Sequence, residues 1–193
     1  MARLEYADTD LPAGPAREIA DRIRARRGGT LTSLDRMLLH SPPLADGWNE
    51  LLGAVRTAST LADDVRELAI LRIAALNGAD YEWRAHEPVG RAGGLTDRDL
   101  DVLRGQAGPA ELRPELAAVL AYTDALTTEV TVPDAVFARL REHFGDREVV
   151  ELTVTVGAYN LVSRFLVGLQ VGEDVGEDVG EETGERAGLW EAV

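Results

Sequence analysis

The last long apolar segment, VVELTVTVGAYNLVSRFLVGL at residues 149–169, constrains the fold more than any other stretch of the chain. Its β-branched opening, residues 149–156, would suit a strand if taken alone. Ordinary strands are only about 5–6 residues long, however, and no turn signal divides this run. A long helix from Arg147 to about Leu169, capped by Asp146, is expected instead. A helix this long and apolar needs other helices to cover it.

The remaining periodicity agrees. Residues 15–27 and 31–40 read as helices, with Thr30 or Thr32 as a possible N-cap of the second and Pro42-Pro43 as its stop. Leu44 to Ala58 carries apolar residues at 44, 48, 51, 52 and 55, the spacing of one helix face. Asp63 or Asp64 can cap the next helix, which runs to Leu76 and ends at Asn77-Gly78. Ala79 to about Arg91 follows, closed by Gly93-Gly94, and Thr96 with Asp99 has capping-box spacing for a helix to about Arg104. Pro114 opens another through Leu126. Val130-Thr131-Val132 precedes Pro133 and reads as an extended connection, and Pro133 to Phe144 is helical with Gly145 as its C-terminal glycine. No pair of strands emerges, so the fold class is all-α.

Beyond Gln170 the composition changes. VGED, VGED and VGEE succeed one another at residues 171–182, and residues 171–193 hold eight acids against Arg186, half of the chain's formal charge of −14. A Gly-rich acidic run of this kind buries too little to offset its ordering entropy, so 171–193 is expected to be a disordered tail. Residues 1–29 read as an N-terminal helical extension and 30–170 as the main domain.

Two absences narrow the chemistry. All 20 residues counted as Lys or Arg are arginines, and the chain has no cysteine. Schiff-base and P-loop lysine chemistry, thiol peroxidation, disulfides and thiolate metal sites are therefore excluded. The acidic balance argues against nucleic acid, and the one basic cluster, RIRARR at residues 22–27, reads as the solvated end of a helix. No stretch of eighteen apolar residues and no hydrophobic signal core is present, which gives the expectation of a soluble, cytoplasmic protein with no membrane partner.

The histidines are His40, His86 and His143, and His86 has the richest neighbourhood. Glu82 and His86 lie four residues apart, about 40° apart on a helix, and Glu67 one helix earlier converges on them if the two helices fold back on each other. This set suits proton transfer. The alternative is a plain surface pair between Glu82 and His86. A metal is not expected, because three ligands would be needed and neither His40 nor His143 has a comparable partner in sequence. No Gly-rich dinucleotide turn is present either, so no cofactor is expected.

The order of HSPPLADGW, LADDVRELAILRIAALNGADYEWRAHEPVGRAGGLTDRDLDVL and AYNLVSRFLVGLQV resembles the carboxymuconolactone decarboxylase-like family, which includes alkylhydroperoxidase D-type proteins, over roughly residues 30–171. The resemblance implies an all-helical fold that assembles as a homotrimer or homohexamer. In the peroxidase branch a glutamate, a CxxC pair and a histidine act together. These positions fall on Glu67, Ala79, Glu82 and His86, so both sulfurs are missing here. The decarboxylase branch fits better, with His86 as proton donor, Glu67 or Glu82 orienting it, and an arginine holding the substrate's oxygens.

Arg72, Arg91 and Arg164 are the arginines considered, Arg164 sharing a helix face with Asn160. Trp83, Tyr81 and Tyr159 suit a core or interface more often than a substrate-stacking pocket wall. The leading expectation is a cofactor-independent lyase or isomerase acting on a small anionic lactone or keto/enol acid. The alternatives are a noncatalytic oligomeric binding or scaffold protein and a redox accessory working with an external thiol or flavin.

Overall fold

The computed structural model describes residues 1–172. The acidic segment expected to form a tail lies, from residue 173 onward, outside the described residues. Among the described residues every regular element is helical. They are α1 (Pro15–Arg26), α2 (Ser33–Leu38), α3 (Pro42–Thr57), α4 (Asp63–Asn77), α5 (Asp80–Ala92), α6 (Asp97–Leu103), a 3₁₀ turn (Pro109–Glu111), α7 (Pro114–Thr128), α8 (Asp134–Arg141) and α9 (Asp146–Leu169). The described residues divide into two compact units, 1–58 with 168–172, and Ser59–Val167.

In the first unit, α1 and α2 each pack on α3. Ile19, Ala20, Ile23, Leu34, Leu38, Ala45 and Leu52 are buried, each large aliphatic side chain contributing about 2 kcal/mol of apolar transfer. Thr32 caps α2 in a reciprocal box with Asp35, and Arg27 Nε reaches the same Asp35 carboxylate at 2.9 Å. The RIRARR cluster is not a free basic surface. Arg22 pairs with Asp46, Arg24 with Asp21 at 2.7 Å, and Arg26 donates to Asn49 at 2.6 Å. Pro42-Pro43 does not merely stop α2; Pro42 opens α3, where a missing N–H costs nothing.

The second unit is built around α4, which packs against α5, α6 and α7. Leu68, Ala69, Ile70 and Leu71 are wholly enclosed, so α4 is apolar all round because it is surrounded. Asp63 and Asp64 lie inside its first turn rather than capping it; Ala62 occupies the cap position. At the other end Gly78 adopts φ 65°, and the Ala79 N–H bonds back to the Ala74 carbonyl at 2.9 Å, reversing the chain into α5. Thr96 and Asp99 form the capping box their spacing predicts.

The connection after α7 differs from the extended stretch expected, because Val130 takes φ 65°, a left-handed conformation a β-branched side chain rarely adopts. Gly145 does not end α8, which stops at Arg141; its N–H donates to Glu148 Oε2 at 2.8 Å and its carbonyl accepts from Val149, so it caps α9 in place of Asp146.

α9 is helical through its β-branched opening. Thr153 and Thr155 donate their hydroxyls to the carbonyls of Val149 and Glu151, four residues back, at 2.6 and 2.8 Å. By length and composition alone α9 could cross a bilayer. Its buried face, however, carries Thr155, Tyr159 and Ser163, and their hydroxyls are bonded inside the protein, the pattern of a core helix.

Candidate active site

The left-handed turn at Gly78 lays α5 back along α4, and two glycines let the helices close. A Cβ on Gly93 would stand 2.9 Å from Asp63 Cβ, and one on Gly90 would stand 3.4 Å from Glu67 Cβ. This register sets the second turn of α4 against the middle of α5. Glu67 and His86, nineteen residues apart, meet there with Oε2 and Nδ1 separated by 2.7 Å. Pro88, within α5 and two residues beyond His86, removes one N–H from the helix ladder.

The other imidazole nitrogen faces α9. Tyr159 Oη lies 3.3 Å from His86 Nε2, and the two rings meet edge to face with centroids 5.2 Å apart. A carboxylate accepts only, so the Glu67 contact assigns the proton of the neutral ring to Nδ1 and leaves Nε2 to accept from the tyrosine hydroxyl. Glu67 is 2 % exposed and Tyr159 0 %, and the His86 side chain retains 12 %. Glu67 Oε1 is taken by Arg66 Nε at 3.3 Å, and the same guanidinium reaches Asp63 through Nη2 at 2.6 Å. The arrangement is a hydrogen-bonded line running Arg66, Glu67, His86, Tyr159 across three helices, in which Arg66 is a fixed cation.

Glu82, one turn before His86, is buried, which removes the reading of Glu82 and His86 as an exposed surface pair. The remaining expected residues are placed elsewhere. Arg72 forms a two-pronged pair with Asp124 on α7 at 2.6 and 2.9 Å and donates to the Leu103 carbonyl at 2.8 Å, a packing role that consumes its fork. Arg164 is exposed and donates to Asn160 Oδ1 and, at 3.0 Å, to its carbonyl. Asn160 also donates to Thr127 at 3.0 Å and accepts from Asn77 at 3.2 Å, which ties α9 to α7 and α4.

Trp83 is buried, donates Nε1 to Glu87 at 2.5 Å and carries Arg104 over its ring at 4.3 Å. Burial would raise the Glu87 carboxyl, but the hydrogen bonds from Trp83 and Arg91 and the charge of Arg104 outweigh it and hold the group below the ordinary carboxylate range. Arg91 is thereby occupied as well, by Glu87 and Asp97. Tyr81 is half-buried on α5. None of these hydrogen bonds and ion pairs joins Arg72, Arg91 or Arg164 to Glu67 or His86. Among the described residues, no group of three or more His, Asp or Glu side chains is arranged to hold a metal ion.

Sequence reasoning passed over Arg66 and treated Tyr159 as core or interface. Tyr159 lies seventy-three residues from His86, and only the packing of α9 reveals their contact.

Residues 42–125 match the Carboxymuconolactone decarboxylase family, a span that contains Glu67, Glu82 and His86 but not Tyr159. The uncharacterized protein YdfG of Bacillus subtilis is 25% identical over 113 residues, which cover 58% of this chain and 77% of that protein. A protein of unknown function from Agrobacterium tumefaciens, linked by its name to the antioxidant-defence protein AhpD, is 28% identical with a TM-score of 0.64, over 69% of this chain and 92% of its own. The AhpD core of an uncharacterized peroxidase-related protein from Ralstonia eutropha JMP134 superposes with a TM-score of 0.74 at 20% identity, over 90% of this chain and 93% of its own. A peroxidase-related protein from Silicibacter sp. TM1040 does so with a TM-score of 0.72 at 15% identity, over 88% of this chain and 90% of its own. The last two likenesses establish the fold.

Proposed function

We propose, from the match of residues 42–125 to the Carboxymuconolactone decarboxylase family and from the AhpD-like fold, that this chain is a cofactor-independent lyase or isomerase working on a small anionic lactone or keto/enol acid. The observation that carries this reading is the imidazole of His86 held between Glu67 at 2.7 Å and Tyr159 at 3.3 Å. A ring fixed at both nitrogens can pass a proton in a set direction without reorienting. In a decarboxylation the bond to the carboxylate carbon breaks, its electron pair enters the enolate, and CO₂ leaves. His86 then delivers a proton to the enolate carbon and Glu67 stabilises the charge the ring carries before it does so. An isomerisation uses the same groups to remove a proton at one carbon and return it at another.

The names of two neighbours call them peroxidase-related, and a thiol-based peroxide reduction is closed to this chain, which has no cysteine. The chain is proposed to act in the cytoplasm and to need no metal, flavin or nicotinamide. The test is a panel of lactone and β-keto acids followed by CO₂ release and by proton exchange with deuterated solvent. His86→Asn should lower turnover about 100-fold or more, and Glu67→Gln should lower it as well. Activity should survive dialysis against a chelator. Unchanged turnover in both variants overturns the assignment.

A further inference from the structure

Arg66 and Glu67 are neighbours in α4, and side chains one position apart on a helix point about 100° away from each other. Their contact is therefore not a consequence of sequence adjacency. The Arg66 guanidinium bridges two carboxylates, with Nε 3.3 Å from Glu67 Oε1 and Nη2 2.6 Å from Asp63 Oδ1. The arginine is 8 % exposed. Burying a cation is costly unless it is paired, and here both carboxylates lie on its own helix, on either side of it.

We propose that Arg66 is a positioning residue that fixes Glu67 and so selects the tautomer of His86. This rests on the proton-transfer reading of His86. With Oε1 held by Arg66, the carboxylate has one oxygen left, Oε2, and that oxygen takes the Nδ1 proton. The His86 ring then presents Nε2 toward Tyr159. Without Arg66, Glu67 would have two equivalent oxygens and freedom to rotate about its last torsion, and its hold on Nδ1 would compete with other geometries. The hydrogen bonds join this cluster to Asp63 on α4, His86 on α5 and Tyr159 on α9, with Glu82 buried one turn before His86, while Asp64 pairs with Arg113 before α7. Asp64 therefore has its own cation and does not replace Asp63 as the outer anchor.

The test reads the imidazole directly and needs no substrate, so its failure is separable from failure of the proposed reaction. The full chain, with its histidine nitrogens labelled, is examined by NMR at about pH 8.5, where an ordinary imidazole is neutral. His86 in the wild type should show two well-separated ring-nitrogen signals with the proton on Nδ1. In Arg66→Met the two signals should move toward each other as the tautomers mix, and Arg66→Lys should recover part of the separation.

Thermal unfolding of the same samples tells a loss of fold from a loss of selection. Should the methionine variant not fold, Arg66→Gln carries the test, since it keeps a neutral donor for Asp63. A folded Met or Gln variant with the wild-type signals overturns the proposal, and so does a wild type without a single dominant tautomer.

Discussion

Gly90 of α5 backs onto Leu71 of α4 so closely that a Cβ placed on it would lie 3.0 Å from the leucine Cδ1. The same atom would stand 3.0 Å from Leu95 Cδ1 and 3.4 Å from Glu67 Cβ. The absence of a side chain at Gly90 therefore sets how near α5 comes to the carboxylate that holds His86. A valine there must displace the two leucine side chains or push the helices apart. Gly90→Val is expected to cost about 1–3 kcal/mol in urea unfolding and to weaken the single-tautomer signal of His86. A variant with wild-type stability and an unchanged His86 signal would show that the close approach is not required.

Tyr159→Phe removes one hydroxyl from a fully buried ring and leaves the packing in place. Stability should change by only about 1 kcal/mol, because one hydrogen bond is lost on each side of the exchange. Turnover should fall about 10–100-fold if Tyr159 closes the relay at Nε2. Steady-state kinetics beside a melting curve separates the two effects, and a variant as active as the parent removes Tyr159 from the mechanism.

Glu151 offers a pH prediction outside the site. Its carboxylate accepts from the Thr60 hydroxyl at 2.7 Å, the Thr60 N–H at 2.8 Å and the Ser59 hydroxyl at 3.1 Å, and pairs with Arg147 at 2.8 Å. The Thr60 hydroxyl, then Arg147, then the Thr60 amide and Ser59 hold it down to about 2, against a desolvation effect that pushes it up. A depressed carboxyl stabilises the fold above its unfolded value and loses that stabilisation as pH falls through the folded one, so the window runs from about 4.5 down to about 2. Protection of the Thr60 amide from hydrogen exchange, taken relative to its intrinsic rate at each pH, should fall across that window in the wild type. In Glu151→Gln that fall should be absent; its persistence would place the acid response elsewhere.

Assembly is proposed on α9. Val150, Val154 and Leu161 are 61 %, 43 % and 49 % exposed, and with Gly157 they follow the alternating four- and three-residue spacing of a helix-packing seam. α4 is also apolar around much of its circumference but is enclosed, which leaves α9 as the helix for copies to share. Light scattering on the full chain and on a version ending at Gln170 should give the same oligomer, a trimer or a hexamer, and Leu161→Glu should dissociate it. A monomer in both chains would end this idea.

Local signals carried the fold further than they carried the site. Thr96 with Asp99 and Asn77-Gly78 were readable because a cap or a stop is decided within four residues. Asp63 and Asp64 misled for the same reason. Both can cap, and only the backbone at Ala62 decides that neither does. Glu67 and His86 could be paired from the sequence because a single reversal separates their helices. Tyr159 could not, since its contact depends on which face α9 turns inward. Arg72 shows the converse. Its proximity to Glu67 in sequence suggested a substrate anchor, but on the folded helix it reaches Asp124, fifty-two residues away.

The two threonine hydroxyls that bond back to Val149 and Glu151 bear on more than helix geometry. Once unfolded, VVELTVTV is a short segment of high β-propensity with one charge and no proline, the kind that stacks with identical copies of itself. Folding into α9 removes its backbone donors and acceptors from such pairing. Heated past its transition at high concentration, the chain should aggregate through this stretch, and a charge introduced at Val150 should delay it, so the helix also decides whether unfolding can be reversed.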